Sequence, residues 1–352
     1  MTPPVPIPVN VALVGFGYAG RTFHAPLISA CAGLRLHTVV TRQDEALAAA
    51  WPGARAVPTL ESALSDPAVG LVVIATPNAL HAPQAKAALE AGRAVVIDKP
   101  FALDLAEARE VAALAAARGL LLSVFHNRRR DADFLALEAE LATGRLGAIH
   151  TFESRFDRFR PEVRDRWRER DGPGSGVWND LGPHLIDQAL VLFGRPLAIA
   201  CDLAVMRPDG QAVDWAHAVL RYADKRVILH ADMTTPAPDI RFRVHGATAS
   251  WLKSGLDVQE EQLKAGLPVG GPGWGVDPSP AVRVDGATGR RESVPGPPGD
   301  YRAFYDRVAK ALTAGGPNPV PPDQALAVME VLEAGTESAR RRAEVRLEPV
   351  DG

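Results

Sequence analysis

The sequence predicts an α/β protein in which an N-terminal domain on a parallel sheet precedes an α+β domain with a large, mainly antiparallel sheet. Three observations predict it. A glycine-rich turn, Gly15-Phe16-Gly17-Tyr18-Ala19-Gly20, separates a buried apolar run from a helical pattern. Short β-branched runs then alternate with Ala- and Leu-rich helical stretches through the first third, the signature of βαβ units. From about Ala148 onward, long strand patterns follow one another without helices between them.

In chain order, residues 9–14 read as a buried strand and 21–30 as the helix after it. Strands follow at 34–40, 55–57, 71–75 and 94–97, the last two apolar on both faces as central parallel strands are. Helices fill the gaps at 81–91 and 104–118. The second has Asp104 as N-cap, Glu107 completing a capping box and Gly119 as C-cap. A sixth strand spans 120–125, and a helix at 131–143 leads away from the sheet. These elements define a Rossmann domain over 1–127 and a second domain over 128–352, with the C-terminal helices packing back on the first. Within the second domain, 215–222 and 226–233 form a hairpin. A helix at 180–193 opens on Asp180 and closes at Gly194, with Pro183 confined to its first turn. Residues 265–299, dense in Gly and Pro, read as a long irregular loop, and 301–313 and 324–342 as terminal helices. The triplet Arg128-Arg129-Arg130 reads as a solvated turn.

Composition narrows the partners. The 352 residues exceed what one core usually organises, and 47% hydrophobic content supplies two. A formal charge of -3 with scattered basic residues gives no reason to expect nucleic acid or a membrane surface, so a small molecule is the expected partner. Cys31 and Cys201 lie too far apart in sequence for a disulfide framework or a CxxC site, which fits a reduced cytoplasm. Residues 1–10 lack the pattern of an export signal, and no run reaches the ~18 apolar residues of a membrane span. No HExxH, CxxC or run of carboxylates announces a metal, and none is expected.

The glycine turn sits in the context that binds a dinucleotide. The first Gly turns the chain, the second admits the pyrophosphate and the third lets helix meet strand. An NAD site would place a carboxylate at the end of the second strand; here that strand ends Val40-Thr41-Arg42. A hydroxyl and a guanidinium suit a 2'-phosphate, so NADP is favoured, with NAD as the alternative.

Lysine occurs only at 86, 99, 225, 253, 264 and 310, while arginine is abundant, so a lysine retained at a special place points to titratable chemistry. Lys99, in Asp98-Lys99-Pro100, falls at the carboxyl edge of the parallel sheet, where ligands of such folds bind. In the second domain Asp180 and His184 stand four apart, on one face of a helix. Together they supply an ammonium for developing alkoxide, an imidazole for a hydroxyl proton and a carboxylate that holds a neighbouring hydroxyl or tunes the other two.

With these residues in view, the chain resembles the Gfo/Idh/MocA oxidoreductases over nearly its whole length, most closely their NADP-dependent scyllo-inositol dehydrogenase-like branch. The segments that carry the resemblance are 14–20 with 22–26, Ala75-Thr76-Pro77-Asn78 with His81, Asp98-Lys99-Pro100, 124–129 and 180–188. The family motif usually has Glu in place of Asp98. The resemblance implies hydride transfer between nicotinamide and a cyclic polyol or sugar, with Lys99, Asp180 and His184 catalytic. It implies that Thr76, Pro77, Asn78 and His81 line the cofactor, and that Phe125, Asn127 and Arg128 approach the nicotinamide or substrate. Arg155 and Trp167, in an Arg- and aromatic-rich stretch, are candidate substrate contacts. The alternatives within this frame are another sugar-carbonyl reductase, a dihydrodiol dehydrogenase, or a dinucleotide-binding sensor without catalysis. An open sheet face in the second domain predicts a homodimer or homotetramer.

Overall fold

A computed structural model describes residues 8–348; residues 1–7, which the reading of the N-terminus concerned, lie outside them. The chain divides into two compact units. The first comprises 1–130, 259–274 and 300–326, and the second comprises 131–258, 275–299 and 327–352.

The first unit carries β1 (Val9–Val14), β2 (Leu34–Val40), β3 (Arg55–Val57), β4 (Val69–Ile74), β5 (Ala94–Asp98) and β6 (Leu122–Phe125). All pair in parallel, in the order β3-β2-β1-β4-β5-β6. This order reverses between β1 and β4, where open α/β sheets bind ligands at their carboxyl ends. The apolar runs explain the sheet: Leu71 to Ile74 and Val95 to Ile97 are fully buried, each such side chain contributing roughly 1.5–3 kcal/mol.

Helices α1 (Ala25–Ser29), α2 (Asp44–Ala50), α3 (Leu60–Leu64), α4 (His81–Glu90) and α5 (Leu105–Arg118) connect the strands. The helix expected at 21–30 opens instead with a π-helical turn, Gly20–His24, before α1. Pro26, lacking an N–H, sits just beyond that turn. Asp104 caps α5 by accepting from the Glu107 N–H (2.8 Å), and Gly119 ends it in the left-handed conformation. Glu107 reaches back to the Leu103 N–H rather than to the cap residue's own.

The second unit holds α6 (Ala132–Ala142), β7 (Ile149–Asp157), α7 (Gly176–Phe193), β8 (Ala198–Ala204), β9 (Trp215–Arg221), β10 (Arg226–Asp232), β11 (Phe242–Gly246) and β12 (Ala249–Lys253). Then come α8 (Gln259–Lys264), grouped with the first unit, and the strands β13 (Ala281–Asp285) and β14 (Arg291–Val294). The last elements are α9 (Arg302–Ala314), in the first unit, α10 (Pro322–Arg341) and the short β15 (Val345–Arg346). The nine strands of the second sheet run β14-β13-β12-β11-β7-β10-β9-β8-β15, antiparallel except for the β7–β10 pair. α7 packs on one face of this sheet, over β7, β9 and β10.

Three expectations need correction. Residues 265–299 contain a hairpin, β13–β14, turned by Asp285, whose carboxylate accepts from Thr288; the surrounding Gly and Pro hid two short strands. α7 begins at Gly176 with Ser175 at its cap, so Asp180 lies inside the helix and Pro183 well past the first turn. The helix tolerates the donor lost at Pro183, and Asn179 donates from its side chain to the Ser175 carbonyl one turn back (2.8 Å). Arg128 is not part of a solvated turn: it is 6% exposed. No helix among the described residues is long and apolar enough to cross a membrane.

Candidate active site

The glycine turn divides its labour as spacing suggested. Gly15 adopts φ +99°, and a Cβ there would meet the Ala75 carbonyl oxygen at 2.6 Å. A Cβ on Gly20 would lie 2.1 Å from the Gly15 carbonyl oxygen, so only Gly lets helix and turn touch. Around Gly17 nothing approaches within 4 Å, which leaves its backbone open to a pyrophosphate. The helical hydrogen bonds start here, Arg21 N–H donating to the Gly17 carbonyl (3.0 Å), so a helix N-terminus faces the same opening. These residues fit a dinucleotide. Phe16 is buried against Trp51, whereas Tyr18 is half exposed and donates to Glu260 (2.7 Å).

Thr41 and Arg42 form the turn after β2. The Thr41 hydroxyl accepts from Gln43 N–H (2.9 Å), the Gln43 side chain reaches the Phe16 carbonyl (3.4 Å), and Arg42 is exposed beside this turn.

After β4, Thr76 donates to Gln84 (2.8 Å) and Asn78 is buried at the start of a 3-10 turn. His81 is also buried, its ring nitrogens on the carbonyls of Thr76 (2.9 Å) and Pro100 (2.8 Å). Burial, the dominant influence, pushes the His81 pKa down, while Asp98 and the two carbonyls pull the other way. Lys99, half-buried at the end of β5, precedes a cis peptide bond to Pro100. Asp98 accepts the Lys99 N–H (2.8 Å) and lies 3.5 Å from His24 Nε2. Burial alone would raise the Asp98 carboxyl, but the His24 ring 3.5 Å away, with Lys99 and His81 near by, more than offsets it and holds the pKa below the usual aspartate value. His24 in turn bonds Tyr305 on α9 (2.6 Å).

Phe125 is buried in an aromatic cluster with His24, Phe304 and Tyr305. Asn127 and Arg128 occupy a buried 3-10 turn, and Arg128 pairs with Glu260 (3.1 Å). Glu260 thus links the glycine turn to Arg128 through Tyr18. Sequence reasoning missed Glu260 because α8 has only six residues and no periodic signal.

In the second unit, Asp180 and His184 stand one turn apart on α7, His184 buried and Asp180 about a quarter exposed. Asp180 borders a shallow, solvent-open depression lined also by Arg166, Arg168, Val177, Arg207 and Met233. Arg168 Nε lies 3.5 Å from its carboxylate. Trp167 stacks under the Arg168 guanidinium. The stretch around it is anchored by buried Arg207, which binds Glu169 (3.0 Å) and Asp214 (2.8 Å). Arg155 stands apart, on the sheet face opposite α7, paired with Glu153 and Asp157.

Comparison with known proteins agrees with this architecture. Residues 9–126 match the NAD-binding Rossmann-fold domain of the Gfo/Idh/MocA oxidoreductase family, and 139–347 match its C-terminal alpha/beta domain. "Uncharacterized oxidoreductase YdgJ" of Escherichia coli K12 is 50% identical over 95% of this chain and 97% of its own length. The scyllo-inositol 2-dehydrogenase (NADP(+)) IolW of Bacillus subtilis is 34% identical over 97% of this chain and 96% of its own. A solved chain from Yersinia pestis described as an oxidoreductase superposes with a TM-score of 0.94 at 43% identity, covering 98% of each chain. The chain therefore belongs to the Gfo/Idh/MocA oxidoreductase family, as a nicotinamide-dependent dehydrogenase or reductase.

Proposed function

We propose that the protein transfers hydride between NADP(H) and a secondary alcohol or ketone of a cyclic polyol or sugar, inositol to inosose or the reverse. The observation that carries this reading is Lys99, fixed at the carboxyl end of β5 by Asp98 on one side and the His81–Pro100 contact on the other. The name of the 34% identical Bacillus relative, an NADP-dependent scyllo-inositol dehydrogenase, supports both substrate class and cofactor.

When bound, the nicotinamide accepts the hydride in oxidation or supplies it in reduction. The residues of the chain do the rest. The glycine turn holds the pyrophosphate, the segment from Thr76 to Asn78 lines the dinucleotide, and Thr41 with Arg42 receives the 2'-phosphate. General acid and base chemistry is assigned to His184, which takes the hydroxyl proton during oxidation and returns it during reduction. The Lys99 ammonium stabilises negative charge on the reacting oxygen. Asp180, with Arg168 beside it, orients a neighbouring hydroxyl. The outer face of the second sheet is assigned to a homodimer or homotetramer, and the location to the cytoplasm.

A second reading keeps the chemistry and changes the substrate. A 1,5-anhydro-D-fructose reductase from Ensifer adhaerens is 29% identical over 58% of this chain, which favours a sugar carbonyl. Assaying inositols, inososes and sugar ketones with either cofactor separates the two; no activity on any inositol or inosose refutes the first. Lys99→Ala is expected to abolish turnover while leaving NADP binding within a few-fold, and undiminished turnover removes Lys99 from its role.

A further inference from the structure

On the face of the second sheet opposite α7, the register of the central parallel pair brings two carboxylates together: Asp157 of β7 is the partner of Asp232 of β10. His230, two residues before Asp232 and so on the same face, completes a buried cluster. The Asp157, His230 and Asp232 ligand atoms all lie within 4.8 Å of one another.

His230 Nε2 is 3.1 Å from Asp232 Oδ2 and 3.7 Å from Asp157 Oδ1. Two carboxylates on adjacent strands repel unless a cation lies between them. A proton on Nε2 would serve Asp232 alone. It leaves Asp157 Oδ1 buried with no hydrogen-bond partner, although Asp157 is only 5% exposed and its other oxygen is held by Arg155 (2.6 Å). A metal satisfies all three. Zinc held at ~2.0–2.1 Å by nitrogen and oxygen in a tetrahedron sets its ligands ~3.3 Å apart, a spacing that the two measured separations bracket.

The surroundings supply the outer support such sites need. Asp232 is oriented by the Thr234 and Thr235 N–H groups and the Thr235 hydroxyl. His230 Nδ1 faces His217 Nδ1 at 3.3 Å, so a proton on His230 Nδ1 is shared with His217 and leaves Nε2 free to ligate.

We propose that Asp157, His230 and Asp232 bind one divalent transition-metal ion, zinc before calcium or magnesium because a nitrogen donor is present. The cluster escapes sequence inspection because its members are dispersed over two strands and follow no ligand spacing.

The test uses the full chain, stripped with EDTA, desalted and titrated with zinc against a chromogenic chelator. One equivalent per chain is expected, surviving gel filtration, and cobalt in its place should give the strong visible absorption of four-coordinate Co(II). Asp157→Asn, which preserves shape, and His230→Gln should each weaken zinc binding at least ~10-fold. His245→Gln, at the stacked His150–His245 pair, should leave it unchanged. Zinc should also raise the melting temperature of the wild type and of His245→Gln but not of Asp157→Asn. Failure of the wild type to hold zinc, retention of a full equivalent by Asp157→Asn, or its loss in His245→Gln overturns the assignment. If His230→Gln does not fold, Asp157→Asn decides alone.

Discussion

Nδ1 of His81 lies 2.8 Å from the carbonyl oxygen of Pro100, the residue that follows Lys99. Nε2 lies 2.9 Å from the Thr76 carbonyl oxygen, so one buried imidazole, donating through whichever nitrogen carries its proton, contacts both the segment after β4 and the segment after β5. These contacts give His81 a part in holding the two loops, besides the place beside the cofactor that the family resemblance implies. His81→Ala removes contacts to two carbonyls and opens a void, for an expected loss of about 2–4 kcal/mol in urea denaturation. Weaker dinucleotide binding should accompany it. Unchanged stability and affinity would show that the two loops hold themselves.

Gly17 and Gly20 make separable predictions. Gly17→Ala meets no neighbour within 4 Å, so the variant should melt within a degree or two of the wild type yet bind dinucleotide at least ~10-fold more weakly, because the methyl occupies the pyrophosphate's approach. Gly20→Ala forces a contact of 2.1 Å with backbone and should lose about 1–3 kcal/mol of stability. Thermal melts and fluorescence titration with the reduced cofactor check both. Equal destabilisation by the two changes would contradict this division.

Arg42 is exposed at the end of β2, next to a turn that Gln43 ties to Phe16. Arg42→Ala should raise the Kd for NADPH by about 10-fold or more, as loss of a charge-assisted phosphate contact does, and leave that for NADH nearly unchanged. Equal effects on both cofactors would remove Arg42 from the 2'-phosphate.

Much of the first unit was legible because its signals are local. β1, β2 and β3 fall where their β-branched runs begin and end, and Asp104 and Gly119 mark α5 by cap chemistry. What escaped depends on partners distant in sequence. Glu260 matters through Tyr18 and Arg128, more than 130 residues away, and a burial such as that of Arg128 leaves no local trace. Arg155 looked like a substrate contact because aromatics and arginines surround it in sequence; strand alternation turns it to the other face, toward Glu153 and Asp157. The start of α7 was misplaced because Pro183 carries a strong helix-opening prior that tertiary packing overrode.

Asp98 offers a test of electrostatics at the centre of the first unit. Its Oδ1 accepts the Lys99 N–H and its Oδ2 faces His24, and the His24, Lys99 and His81 side chains around it outweigh burial, so the folded pKa lies below the unfolded one. The ionised carboxylate therefore stabilises the fold at any pH above the unfolded value of about 3.9. As pH falls through that value toward the folded pKa, the unfolded chain takes up the proton first and the contribution is lost. Asp98→Asn keeps an oxygen for the Lys99 N–H but carries no charge and does not titrate. Near pH 6–7 it should be less stable than the wild type by about 1.5–3 kcal/mol, the range for a hydrogen bond to a charged group. Urea denaturation at steps down to pH 3 should show the gap closing, since acid removes from the wild type what the substitution has already removed from the variant. A gap that stays constant with pH would mean that packing, not the carboxylate's charge, accounts for the loss.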